Sequence, residues 1–226
     1  MKRKFFVFAL FFCCLFCLTA CDNSKIDLRN YLIEDRVLLF TASDDIYNVS
    51  LTSGKRETDY CIDGIVNPLV DFAILSISRN NNKSLANDSY AYIVTINENP
   101  LTGFLTKNET DNSFSTDLEV AIPSDAKINV KISFTGYTFD KDLTNTTNEF
   151  AIDNTTALNI ANENLIESVN NILSSNNKVE VVTKILKDYS SDIKKHYWYV
   201  GIISTNGETL GILIDALTGE IIAKKV

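Results

Sequence analysis

The sequence predicts an α+β fold: an all-β, sandwich-like domain over residues 31–150, followed over residues 151–226 by one helix and a four-stranded antiparallel sheet. Three observations predict it. Short apolar or alternating runs, separated by turn residues, recur through the first region. Between residues 152 and 173 the apolar spacing changes from two to steps of three and four. Beyond that stretch, Asn206-Gly207 and Thr218-Gly219 mark tight reversals between strand-like runs.

The β region is read from seven runs: RVLLFTA (36–42), IYNVSLT (46–52), TDYCID (58–63), VDFAILSIS (70–78), YAYIVTI (90–96), DLEVAIP (117–123) and KINVKISF (127–134). In the last, Ile128, Val130, Ile132 and Phe134 alternate with Asn129, Lys131 and Ser133, the period of a half-buried strand. Ser53-Gly54, Asp63-Gly64, Asn67-Pro68, Asn99-Pro100 and Pro123-Ser124 read as the breaks between runs. Seven or eight short strands at this spacing suit a sandwich or a barrel, and no motif distinguishes the two.

The helix is read from Leu158, Ala161, Leu165, Val169, Ile172 and Leu173, which share one stripe. Asp153 is its expected N-cap, Ile152 and Ala157 an expected hydrophobic staple, and residues 174–177 its stop. The four strands after it are VEVVTKIL (179–186), HYWYVGIIS (196–204), TLGILIDAL (209–217) and EIIAKKV (220–226). On the second and third of these both faces are apolar, and one helix covers a single face. The other face therefore needs the β region, a second copy or a client.

The first 21 residues read as an address. Lys2, Arg3 and Lys4 precede an apolar run from Phe5 to Leu18, then small Thr19 and Ala20, then Cys21. That order is a secretory signal peptide over residues 1–20, followed by a polar tether to residue 30. Leu18-Thr19-Ala20-Cys21 resembles the lipobox of bacterial lipoproteins. The resemblance implies cleavage before Cys21 and lipid on its sulfur, and hence a membrane-anchored protein on the extracytoplasmic face of the cell. The other cysteines of the signal, Cys13, Cys14 and Cys17, sit among Phe and Leu with no second ligand set downstream, which argues against a metal site.

Without residues 1–20 the chain keeps 18 Lys and Arg against 29 Asp and Glu, a net charge of −11. That balance argues against nucleic acid as a partner. Abundant Asn and Lys suggest an AT-rich genome, as in low-GC Gram-positive bacteria. Cys61 is the one cysteine left besides Cys21, so an internal disulfide is not expected, and Cys61 reads as a small buried hydrophobe.

A capped helix, then HYWYVGII, then GILIDALTGEIIA resembles the PepSY domain, found in protease propeptides and bacterial surface proteins. The resemblance covers about residues 152–226. It implies a non-catalytic role, holding or inhibiting a secreted or envelope protease in trans, with Tyr197, Trp198 and Tyr199 as the candidate partner-binding face. The alternative is a small-ligand or glycan-binding lipoprotein using the β region, with Tyr47, Tyr60, Tyr90 or Tyr92 as stacking platforms.

No catalytic, metal or cofactor site is expected. His196 is the single histidine, and no G-x-S-x-G, H-E-x-x-H or P-loop occurs. The carboxylate pairs Asp44-Asp45, Asp140 with Asp142, and Glu57 with Asp59 read as solvated loop or edge charges. DNTT and DKDLTN lack the loop of a calcium site.

Overall fold

Eight strands close on themselves around an apolar interior. The computed structural model describes residues 26–58, 61–80, 89–108, 112–188 and 195–226. The strands are β1 (Leu32–Ser43), β2 (Tyr47–Glu57), β3 (Leu69–Arg79), β4 (Ser89–Ile96), β5 (Asn99–Lys107), β6 (Phe114–Leu118), β7 (Ile128–Phe134) and β8 (Tyr137–Asn145). Their order round the barrel is β1-β2-β3-β6-β5-β4-β7-β8, with every pair antiparallel. Phe40 opposite Asn145 and Thr41 opposite Thr144 close the ring. Side chains such as Phe40, Leu51, Leu75, Val94, Leu105, Val130 and Phe139 fill the interior. The outer wall carries polar pairs such as Lys131 with Asp140.

After the barrel come helix α1 (Asn154–Ser174) and strands β9 (Val179–Asp188), β10 (Lys195–Ser204), β11 (Thr209–Asp215) and β12 (Ile221–Lys225). Asp153 caps α1, its carboxylate accepting the Thr156 N–H at 2.8 Å. Ala157, Leu158, Ala161, Leu165, Val169 and Ile172 pack from α1 onto Val181, Trp198, Val200, Ile202, Leu210 and Ile212.

These four strands do not form a separate α+β unit. β9 runs parallel to the first half of β1, Leu32 opposite Val181 and Asp35 opposite Thr183, so all twelve strands make one continuous sheet. The expected α+β fold, with a sandwich-like domain and a PepSY-like helix-plus-sheet layout, is therefore corrected. The chain is mostly β, a closed eight-stranded barrel with added strands. The single edge of the long strand β1 serves both neighbours: β9 pairs along residues 32–35 and β8 along 40–41.

Closure follows from two strands that the periodicity did not announce. An all-antiparallel ring needs an even number of strands, and β5 and β8 complete it. β5 buries only Leu105, and β8 only Phe139 and Leu143, so neither carries an alternating apolar pattern. Asn97 and Glu98, both at positive φ, form the tight β4–β5 turn just before Asn99-Pro100. Residues 61–63 and 119–123, expected in strands, lie instead in the β2–β3 and β6–β7 connections. Ser53-Gly54, expected as a break, lies inside β2, where Gly54 faces Arg36 beside a register shift in β1. A Cβ on Gly54 would stand 1.8 Å from the Asp35 carbonyl oxygen, so only glycine fits this crossing.

Candidate functional site

Because β1 pairs with β8 at one end and β9 at the other, the β9–β10 arm leans away from the barrel wall and leaves a cleft of about 980 Å³. Such a volume lies near the upper end of the roughly 300–1,000 Å³ of small-molecule sites. One side is the outer wall of β1, β2 and β3, with Thr41, Asn48, Ser50, Thr52, Ser76 and Ser78 in its lining. The other side brings Phe150, Ile185, Leu186, His196 and Leu217. The Phe150 and His196 rings lie 5.4 Å apart, and Phe150 meets Trp198 edge-on at 6.0 Å. Trp198 is in turn fixed by its Nε1–H, which donates to the Ile152 carbonyl at 3.0 Å.

The junction beneath the cleft is held by ionisable groups. Asp35 accepts from the Thr183 hydroxyl and, at 3.0 Å, from the Asn154 amide, tying β1 to β9 and to the first turn of α1. Burial pushes its carboxyl up despite those hydrogen bonds. On the opposite face the nearly buried Glu34 binds Arg36 and stands 3.8 Å from Lys184. Burial lowers the Lys184 ammonium, with Glu34 acting against it. Arg56 lies over the Phe72 ring at 4.6 Å and pairs with Asp117 at 2.7 Å.

The residues singled out from the sequence are dispersed. Cys21 lies outside the described residues, as does Tyr60. Tyr197, Trp198 and Tyr199 do not share a face: Trp198 is buried under α1, while Tyr197 and Tyr199 are half-buried on the other side. The Tyr199 ring lies over Gly201 and Gly211, where added Cβ atoms would come within 2.8 and 3.1 Å of it. Part of that second apolar face is covered by the β2–β3 connection, whose Asp63 N–H donates to Glu180 at 2.8 Å, as does the Gly64 N–H.

Tyr47, Tyr90 and Tyr92 belong to the barrel core and are no stacking platforms. Tyr47 stacks on Phe134 at 4.5 Å and Tyr90 packs on Phe114 at 4.9 Å. Cys61 is exposed rather than buried, because its segment is a loop. Its thiol is pushed up by a hydrogen bond to Asp63, which disfavours a nucleophilic thiolate. Asp140 and Asp142 both accept from the Asn129 amide, at 3.3 and 3.0 Å. Glu57 is buried and accepts the Asn67 N–H; Asp59 is outside the described residues.

Among the described residues, no group of three or more His, Cys, Asp or Glu stands together to hold a metal, and no helix is long and apolar enough to cross a membrane. Comparison of the chain with family models, curated proteins and solved structures gave no match. The cleft residues themselves escaped the sequence reading. Ser and Thr at alternating strand positions read as ordinary solvated faces, and Phe150 stands at the expected end of the β region. Only the cross-strand register brings them together.

Proposed function

We propose that the protein is a lipid-anchored extracytoplasmic binding protein that takes its ligand in the cleft between the barrel wall and the β9–β10 arm. The observation that carries this is the cleft itself: a concave surface of about 980 Å³ with a polar wall facing an apolar and aromatic one. The basic, apolar and small-residue order ending at Cys21 supports delivery across a membrane and tethering there. The acidic remainder of the chain stays in solution beside an anionic membrane surface.

Two measurements test the reading. Fractionation of cells expressing the protein and its Cys21→Ser variant should show the first in the membrane fraction and the second released or unprocessed; retention of both counts against the anchor. A thermal-shift panel of sugars, peptides and metabolites on the full-length protein tests the cleft. A ligand at about a hundred times its Kd adds about 2.7 kcal/mol, a rise of several degrees for a chain of this size. Ser50→Tyr, which fills the cleft from a solvent-facing position, should abolish that rise.

A protein-binding reading, in which an envelope protease is held in trans, keeps one observation in its favour. Tyr197 and Tyr199 lie half-buried on the helix-free face, beside Leu186, which is 42% exposed. Trp198 has no part in that surface. Capture lost on Tyr197→Ser and untouched by Ser50→Tyr would favour it over the cleft.

A further inference from the structure

The polar wall of the cleft is a register-matched grid of hydroxyl side chains. Thr144, Thr41, Ser50 and Ser76 stand directly opposite one another across β8, β1, β2 and β3. A second row, Ser43, Asn48 and Ser78, lies two residues along. The opposite strand faces are accounted for by Phe40, Val49, Leu51, Leu75 and Ile77, which point into the barrel core. Neighbouring strands lie about 4.8 Å apart and same-face residues about 6.7 Å apart. The wall therefore presents a two-dimensional array of groups that both donate and accept hydrogen bonds, with the Thr41 hydroxyl also bonded to that of Thr146 at 2.7 Å.

The chemistry of the surroundings narrows the ligand. Opposite the grid stand the Phe150 and His196 rings and the side chains of Leu186 and Leu217. Charge is sparse and mixed: the Arg36 guanidinium is engaged by Glu34, and the remaining ionisable lining residues besides His196 are Glu149 and Lys187. Among the described residues, no cluster of one sign lines the cleft to select an anion or a cation. Nor does the grid itself offer a long free edge to an extended peptide: Thr41, Ser50 and Ser76 are each paired on both sides, and the edges left between the β9 and β8 pairings are short, residues 36–39 of β1 and 184–188 of β9.

We infer, resting on the cleft-binding reading above, that the ligand is an uncharged oligosaccharide. Its hydroxyls bond the Thr41, Ser50 and Ser76 rows, and the C–H face of a sugar ring packs on Phe150 and Leu217. The rung spacing of about 4.8 Å is on the order of one pyranose ring, so successive sugar units meet successive strands.

The test uses the full-length protein in detergent. It is screened against neutral gluco-, manno-, galacto- and N-acetylglucosamine oligosaccharides of increasing length, with anionic polysaccharide fragments and a random-sequence peptide library alongside. Binding is then measured by calorimetry for three variants whose fold is checked by circular dichroism: Ser50→Tyr, the double variant Ser50→Ala with Ser76→Ala, and Phe150→Leu. Neutral oligosaccharides should bind, Ser50→Tyr should remove binding, and the double alanine variant should weaken it about three- to tenfold per lost hydrogen bond. Peptide binding that Ser50→Tyr abolishes, with no neutral sugar bound, overturns the carbohydrate class and leaves the cleft standing. A sugar whose binding ignores Ser50→Tyr, or a panel in which no binding of any class responds to it, overturns the cleft as well.

Discussion

Leu165→Ala tests whether the barrel and the C-terminal strands form one cooperative structure. Leu165 is fully buried in α1, twenty residues past the end of the last barrel strand, and packs within the cluster of Val181, Val200 and Ile212. Truncating such a leucine costs about 2–5 kcal/mol, the upper part applying where the cavity cannot collapse. Here the helix is pinned at its start by the Asp153 cap and by the Asn154 bond to Asp35, so little collapse is available. Taking about 3 kcal/mol, and 2–4 °C per kcal/mol for a chain of this size, the melting temperature should fall by about 6–12 °C. Two probes read different halves. Trp198, the single tryptophan, reports the C-terminal layer by fluorescence, and the buried Tyr47, Tyr90 and Tyr92 report the barrel by near-ultraviolet circular dichroism. Because β1 is a strand of both, the two transitions should coincide and shift together. If the tryptophan transition moved by several degrees while the tyrosine signal stayed in place, the shared-strand argument would fail.

Four further outcomes follow from particular contacts. Gly54→Ala places a Cβ 1.8 Å from the Asp35 carbonyl oxygen and should cost about 3 kcal/mol or more, seen as a large drop in the urea midpoint. Trp198→Phe leaves the Ile152 carbonyl without its indole donor and should cost about 1–3 kcal/mol in urea denaturation followed by far-ultraviolet circular dichroism. Burial raises Asp35 above its ordinary 3.8, so just above that pH the folded chain keeps a proton that the unfolded chain releases; stability should fall as pH climbs through the raised value and then level off, and Asp35→Asn should flatten that part of the curve. Tyr137, whose hydroxyl donates to Asp44, is held up to about 12; Asp44→Ala should bring its titration back towards 10.0, followed by NMR.

Most strands were legible because their apolar alternation is strong. β2, β3, β4 and β7 each bury mainly one face, β1 stands out as an apolar run, and α1 shows its stripe and its Asp153 cap plainly. β5 and β8 were not, because they bury one and two side chains and otherwise look like loops. Architecture was harder for a different reason. Whether a sheet closes depends on hydrogen bonds between its first and last strands, here two residue pairs more than 100 positions apart, and no local pattern encodes them. The parallel β1–β9 contact is equally non-local, and it turns an expected separate α+β unit into an extension of the barrel sheet. The candidate site inherits both difficulties. Thr41, Ser50 and Ser76 are unremarkable in sequence and become a surface only through register, whereas the aromatic triplet at residues 197–199, conspicuous in sequence, is split between two faces by strand pleating.

The forked strand also explains why a cleft exists at all. In a closed barrel every strand edge is satisfied and the outer wall is convex, which favours neither concavity nor selectivity. β1 escapes this by length: its twelve residues let β8 close the ring at one end while β9 departs from the other. The point of departure must leave an angle, and the side chains that fill it come from the barrel wall, from Phe150 in the linker and from the β9–β10 arm. Each of those sources is fixed by a contact outside the cleft: Phe150 by Trp198, Trp198 by the Ile152 carbonyl, and β9 by the Thr183–Asp35 bond. The site is thus held by the same junction that joins the two parts of the sheet. A substitution there, such as Trp198→Phe, should reduce ligand affinity along with stability, whereas Ser50→Tyr on the wall should remove binding and leave the melting temperature nearly unchanged.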